Sequence, residues 1–258
     1  MVTTAARVAT RKYLGDTNLP AVFTFFSIDL LPTASAQHCG RIGILGERCG
    51  NYLIQHCDLL IVLGCRLTKA HVGYNPDLFA PAATIVAIDI DQDELDKDIV
   101  PVAHKLHCDI EEFYDHTPVA PAPSVEWLAE CGLRRRLWLG DLPPAPSDDA
   151  HGICQYRLVA ALGPACAGTP TTFVACAGSV VTTAYHVLAL SEGDRFITSN
   201  QGEMGFEVPA AVGCSVAVTG ARTVALVGDG SFQFNVQELN TLAHHSLDMK
   251  IVVVNNGG

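Results

Sequence analysis

The chain has 258 residues, 49% of them apolar and 17% charged, which is enough for one large or two small packed domains and too little charge for a disordered segment. Twenty-seven acidic residues against sixteen basic ones give a formal charge of -11, the wrong sign for a protein that tracks a phosphate backbone, so nucleic acid is excluded as the primary partner. No run approaches the ~18 uninterrupted apolar residues of a membrane-spanning helix; the longest candidate, 208–221, is short and contains Pro209.

The first fifteen residues carry Arg7, Arg11 and Lys12 without an acid and lack the apolar run of a secretory signal, so they read as an ordinary amphipathic helix. Short apolar runs follow near 21–24, 58–63, 84–90 and 105–108, the pattern of strands in a small parallel sheet. His104, His107 and Cys108 sit close together, but no second ligand pair stands at zinc spacing. The ten cysteines, spread from Cys39 to Cys214 without a CxxC pair, read as reduced, mostly buried thiols in a cytoplasmic protein.

Between 117 and 150 stand Pro118, Pro121, Pro123, Pro143, Pro144 and Pro146, which cannot continue a sheet. The domain linker is placed there, at 118–150, between a first unit at 1–117 and a second at 151–258. Within it, 125–138 reads as a short helix whose Arg134, Arg135 and Arg136 form a solvated face. The second unit is expected to run helix 151–162, strand 172–176, helix 180–190, then strands 195–198, 223–227 and 250–254. The fold class is therefore α/β, with two parallel-sheet Rossmann-like units. The second is expected to be truncated at its C-terminus, because a covering helix would normally follow the last strand.

In open parallel sheets ligands bind at the carboxyl ends of the strands. After 223–227 comes Gly228-Asp229-Gly230-Ser231, opening a helix whose apolar face is read as Phe232, Val236, Leu239 and Ala243. Unpaired N–H groups at such a start suit a phosphate or diphosphate, and glycine lets it approach. Asp229 offers a carboxylate oxygen, Asn256 an amide oxygen and Gly258 a main-chain carbonyl, a hard-oxygen set suited to magnesium. Read singly, Gly-Asp-Gly is equally a turn and Asn-Asn equally a strand terminus.

Order and spacing add more: 24 residues separate Gly230 from Asn255, room for one helix and one strand. Gly228-Asp229-Gly230 followed by Asn255-Asn256 resembles the cofactor motif of the thiamine-diphosphate enzymes, such as acetolactate synthase, pyruvate decarboxylase and benzoylformate decarboxylase. The run Asn200-Gln201-Gly202-Glu203-Met204-Gly205-Phe206 through Gly213 is similar to the family's cofactor loop and following helix, and 58–67 to a strand of its middle domain. Gly73-Tyr74-Asn75 and Ile88-Asp89-Ile90-Asp91 most resemble acetolactate synthase and its relatives.

The resemblance implies a middle domain at 1–117, partial at its N-terminus, and a truncated diphosphate-binding domain at 151–258. It implies that Met204 is the apolar wedge bending the cofactor, that main-chain groups of Gly202 and Met204 meet the aminopyrimidine, and that Gly178, Ser179, Gly230 and Ser231 meet the diphosphate. It also implies that the activating glutamate lies in an N-terminal pyrimidine-binding domain that this chain does not contain. Glu203, Glu207 and Glu238 stand at other places and do not inherit that role, so no catalytic residue is assigned here. His244-His245 is a helix C-terminal pair, favoured there by the dipole.

Some relatives hold FAD or ADP in the middle domain. Gly40, Gly43 and Gly46 give GxxGxxG rather than the dinucleotide fingerprint GxGxxG, so FAD has no specific motif, and Asp89 or Asp91 could meet a ribose or cap a helix. The expected function is that of a fragment of a thiamine-diphosphate- and magnesium-dependent enzyme that decarboxylates a 2-oxo acid such as pyruvate and transfers the acyl carbanion equivalent, in the manner of acetolactate synthase. The full-length enzyme is expected to be a homodimer or homotetramer, and this chain alone inactive. The alternative is a non-catalytic module binding a nucleotide or a partner chain; an NAD-dependent dehydrogenase lacks its fingerprint.

Overall fold

In a computed structural model, residues 3–116, 122–139, 142, 152–218 and 220–256 are described. The chain forms two compact units, one of Met1–Thr24 and Ser35–Leu139, the other of Phe25–Ala34 and Gly140–Gly258.

The first unit opens with α1 (Thr4–Thr17), capped by the Thr3 hydroxyl, which accepts from the Ala6 N–H at 3.1 Å. Ala6, Thr10, Leu14 and Thr17 are its buried stripe, and the Tyr114 hydroxyl donates to Thr10 Oγ1 at 2.9 Å. It is the amphipathic helix its spacing implies. Next come β1 (Ala21–Phe23), β2 (His38–Arg41), α2 (Arg48–His56), β3 (Leu59–Leu63), α3 (Lys69–Val72), β4 (Thr84–Asp89), α4 (Gln92–Leu95), β5 (His104–His107), α5 (Ile110–His116) and α6 (Val125–Trp138).

The expected single sheet is instead two parallel ones, β1-β2 and β3-β4-β5. Strand β2 was not anticipated: its sequence, His-Cys-Gly-Arg, has no apolar run, yet all four residues are buried. Its charge is matched inside, where Arg41 Nη1 meets Glu47 Oε1 at 3.4 Å and the Arg41 N–H donates to Glu47 Oε2 at 3.2 Å. The apolar core gathers Ile42, Ile54, Val62, Phe79, Ile85 and Leu95.

Helix α6 corrects the solvated-face reading. Arg135 donates from Nε to the His38 carbonyl and from Nη2 to the Ser35 carbonyl, each at 2.7 Å. Arg134 pairs with Glu130 and lies 4.5 Å from the Tyr52 ring centroid and 4.8 Å from that of Trp138, leaving Arg136 as the exposed member of the run.

The second unit contains α7 (Gln155–Cys166), β6 (Thr171–Val174), α8 (Gly178–Val187), β7 (Arg195–Ile197), α9 (Glu207–Ala217), β8 (Arg222–Gly228), α10 (Asp229–Phe234), α11 (Glu238–His245) and β9 (Met249–Val254). All pairings are parallel, in the order β7-β6-β8-β9, as continuous apolar runs between helices imply. Strand β6 is buried throughout, and β8 from Thr223 to Val227. At the edge, β9 is only partly buried, and Val253 is 40% exposed.

The segment Phe25–Ala34 belongs with this unit. Phe25 stacks on Tyr185 with centroids 3.7 Å apart, and the buried Asp29 carboxylate accepts from Arg195 Nε at 2.8 Å and from the Phe196 N–H at 3.2 Å. The ten cysteines are free thiols, five buried and five half-buried.

Candidate functional site

Because all four strands of the second unit run the same way, their carboxyl ends share one edge. From β6 the chain moves outward to β7 and then crosses back past β6 to β8. Helix α8 packs with α7, whereas α9 packs with α10 and α11; right-handed crossovers in opposite directions place these layers on opposite faces. The carboxyl ends of β6 and β8 therefore form a topological switch point, where open sheets bind ligands.

Four segments leave this edge: 175–179 after β6, 198–206 after β7, 229–231 after β8 and 255–256 after β9. Gly228 pairs in register with Val254, so Asp229 and Asn256 emerge from neighbouring strand tips, roughly 5 Å apart along the hydrogen-bonding direction. Among the described residues, neither side chain is engaged by another group. Gly258 lies outside the described residues.

The loop after β7 reaches the turn after β8: a Cβ placed on Gly230 would lie 3.2 Å from the terminal methyl of Met204. Met204 itself is 49% exposed, at the surface beside the turn rather than filling a core gap. Gly178, Gly202 and Gly228 border open space, since a Cβ on any of them meets nothing within 4 Å. Ser179 is exposed and donates from Oγ to Gln155 Oε1 at 3.1 Å. Ser231 is buried, and its hydroxyl donates to Glu207 Oε2 at 2.6 Å while accepting the Gly205 N–H at 2.7 Å. What Ser231 presents toward the edge is its main chain.

The apolar-face reading of one long helix after Ser231 is corrected. The helix breaks at Asn235, with Val236 43% and Leu239 41% exposed. Asn235 is drawn into the site: its Nδ2 donates to the Gly205 carbonyl at 2.6 Å. Helix α10 is six residues long, so contacts to an anion fall to individual N–H groups more than to a helix dipole.

Two groupings at this edge were not read from the sequence, which named Glu203 and Glu207 only to deny them the activating role. Glu207 is fully buried and accepts the Ala177 N–H at 2.9 Å on Oε1 besides the Ser231 hydroxyl on Oε2; the only sequence signal was an acid opening a helix otherwise made of small and apolar residues. Ser199 and Glu203 hydrogen-bond side chain to side chain, and the buried Cys176 lies 3.1 Å from Ser199 Oγ. Burial pushes the Cys176 thiol up, whereas the Ser199 hydroxyl holds the Glu203 carboxyl below its usual range.

At the corresponding edge of the first unit the acidic side chains bond within the unit. Asp89 Oδ1 accepts the Asp91 N–H, and Asp91 Oδ1 caps α4 through the Asp93 N–H, each at 3.0 Å. Glu94 holds Arg66 Nε at 2.8 Å and also pairs with Lys97. The cavity among Cys65, Asp89, Glu94 and Lys97 has about 30 Å³, room for a water or two. His244 and His245 close α11 ahead of the left-handed Ser246, a helix-terminal position.

Two family models match. The thiamine pyrophosphate enzyme central domain matches residues 2–116, and the thiamine pyrophosphate enzyme C-terminal TPP-binding domain matches residues 176–258. Relatives include the large subunits of acetolactate synthase isozymes 1 and 2 of Escherichia coli (strain K12). The first is 30% identical over 259 residues, covering 99% of this chain and 44% of the relative, and the second 31% identical over 252 residues, covering 96% and 44%. The acetolactate synthase of Mycobacterium avium is 31% identical over 255 residues, covering 93% of this chain and 39% of the relative. The chain thus spans less than half the length of these relatives. With both domain types matched in their order along the chain, and with the Gly-Asp-Gly turn and Asn-Asn terminus on adjacent strand tips, the protein belongs to the thiamine pyrophosphate enzymes.

Proposed function

We propose that the strand-tip cluster of the second unit holds thiamine diphosphate through a magnesium ion. The whole enzyme would decarboxylate a 2-oxo acid such as pyruvate and join the acyl unit to a second carbonyl, as an acetolactate synthase does. The observation that carries this is the Gly228–Val254 register, which brings a carboxylate and an amide oxygen to neighbouring strand ends. Two oxygens of that kind, with main-chain carbonyl, phosphate oxygens and water, suit the octahedral preference of magnesium.

The residues present fit the cofactor. The open space over Gly178, Gly202 and Gly228 leaves room for a diphosphate to approach main-chain N–H groups, and Met204 beside Gly230 offers an apolar support for a bent ligand. When bound, thiamine diphosphate supplies the nucleophilic carbon and the electron sink for decarboxylation. In this reading Asp229 and Asn256, with the main chain of Gly258, hold the ion. The main chains of Gly178, Ser179, Gly230 and Ser231 seat the phosphates, and Gly202 and Met204 orient the heterocycle.

The activating carboxylic acid is assigned to another domain of the complete enzyme, proposed to be a cytoplasmic homodimer or homotetramer. The 258-residue chain by itself is expected to bind the cofactor without turning over pyruvate. Calorimetric titration of thiamine diphosphate tests this. Binding should require magnesium and should be lost in Asp229→Ala. Magnesium-independent binding, or binding unchanged in that variant, would overturn the reading and favour a nucleotide- or partner-binding module.

A further inference from the structure

A carboxylate with no exposed surface and no cation among its hydrogen-bond partners is costly to bury, and Glu207 is in that position. Its two bonds come from neutral donors, the Ala177 N–H on Oε1 at 2.9 Å and the Ser231 hydroxyl on Oε2 at 2.6 Å. The first turn of α9, where backbone N–H groups carry partial positive charge, offsets part of the cost. Cohesion alone would be served as well by an apolar side chain of similar volume. What an apolar residue could not do is tie three segments together. Ala177 follows β6, Ser231 follows β8, and Ser231 in turn accepts the Gly205 N–H of the loop after β7 at 2.7 Å. Asn235 closes the ring by donating to the Gly205 carbonyl. Every segment so joined lies at the switch point between β6 and β8.

We propose that Glu207 is a positioning residue for cofactor binding. Acting through Ser231, it fixes the distance between the Gly202–Met204 loop and the Gly228–Ser231 turn, so that both stand in binding geometry before the ligand arrives. The inference rests on the thiamine-diphosphate reading above and adds the residue that preorganises the site. Preorganisation raises affinity by removing the cost of ordering two loops on binding.

The test pairs a ligand-free measurement with a binding one. In the cofactor-free chain, amide hydrogen exchange at Gly205 should accelerate in Glu207→Ala and in Ser231→Ala while strand Arg222–Gly228 keeps its protection, which also shows that the variants fold. In the presence of magnesium, calorimetry should find thiamine diphosphate binding weakened about tenfold or more in each variant, the scale of a lost hydrogen bond to a charged group. The double variant should be scarcely weaker than either single one, because both act through one link. Glu207→Gln keeps an acceptor for Ala177 but turns a donor toward Ser231, and should fall between wild type and Glu207→Ala. Unchanged affinity in Glu207→Ala, or weakened affinity with Gly205 exchange unchanged, would overturn the proposal. If the unsubstituted chain failed to bind, the cofactor reading itself would fall and take this inference with it, whatever the exchange at Gly205 showed.

Discussion

At Gly205 the backbone adopts φ +88°, and a Cβ there would lie 2.8 Å from Asn235 Nδ2 and 2.9 Å from Phe234 Cβ. Gly205→Ala therefore carries both left-handed strain, about 1–2 kcal/mol, and a clash with the side chain that holds its own carbonyl. We expect a fall of several degrees in the thermal midpoint, read by circular dichroism, together with weakened cofactor binding. His38 gives a pH-dependent counterpart in the other unit. Burial is the main cause of its fall to about 3, with the nearby Arg41 charge adding to it.

The folded chain therefore keeps His38 neutral while the unfolded chain protonates it near 6.5, so its contribution to stability is present above 6.5 and is lost as pH falls from there toward 3. Glu47 works the other way. Burial raises it to about 7, so its contribution is present below about 4.5 and lost as pH rises through 7. His38→Leu should therefore gain on the wild type as pH drops from 6.5 to 4.5, by an amount on the order of a few kcal/mol at the acid end. Urea midpoints measured across that range check it, and a constant difference would refute it. Neither residue announced itself in the sequence, where β2 has no apolar pattern and its polar side chains are accommodated only by partners from elsewhere in the fold.

At the level of elements, the apolar strand runs were legible and the helices after them less so. Strands β3, β4, β8 and β9 fall within a residue or two of their apolar runs; in β8 the run goes with burial from Thr223 to Val227, whereas the edge strand β9 keeps it while only partly buried. The helix expected after Gly230 had the right spacing but breaks at Asn235, which leaves helical geometry and whose side-chain amide donates to the Gly205 carbonyl. Three consecutive arginines in α6 look like a solvated stripe until carbonyl acceptors and aromatic rings are brought to them. Arg135→Ala would remove two hydrogen bonds to main-chain carbonyls at 2.7 Å and is expected to destabilise the first unit by about 2 kcal/mol, seen as a lowered urea midpoint. Arg136→Ala, on an exposed side chain, should change it little.

For the whole molecule, the two matched family domains and the parallel sheets agree with the reading from motifs. The crossing at Phe25–Ala34 was not legible, because it is tied in by long-range pairs such as Asp29 with Arg195, which no local pattern encodes. Residues 151–258 produced by themselves lack that carboxylate and should unfold at lower urea than the same unit within the full chain; Asp29→Ala in the full chain should reproduce part of the loss, about 1–3 kcal/mol.

Strand β9 has a consequence for anyone handling the protein. Among the described residues it is the edge strand of its sheet, and beside the exposed Val253 its outer main chain is a template onto which another copy can pair. The 258-residue chain should form concentration-dependent aggregates at low salt, and Val253→Lys should suppress them, as light scattering would register.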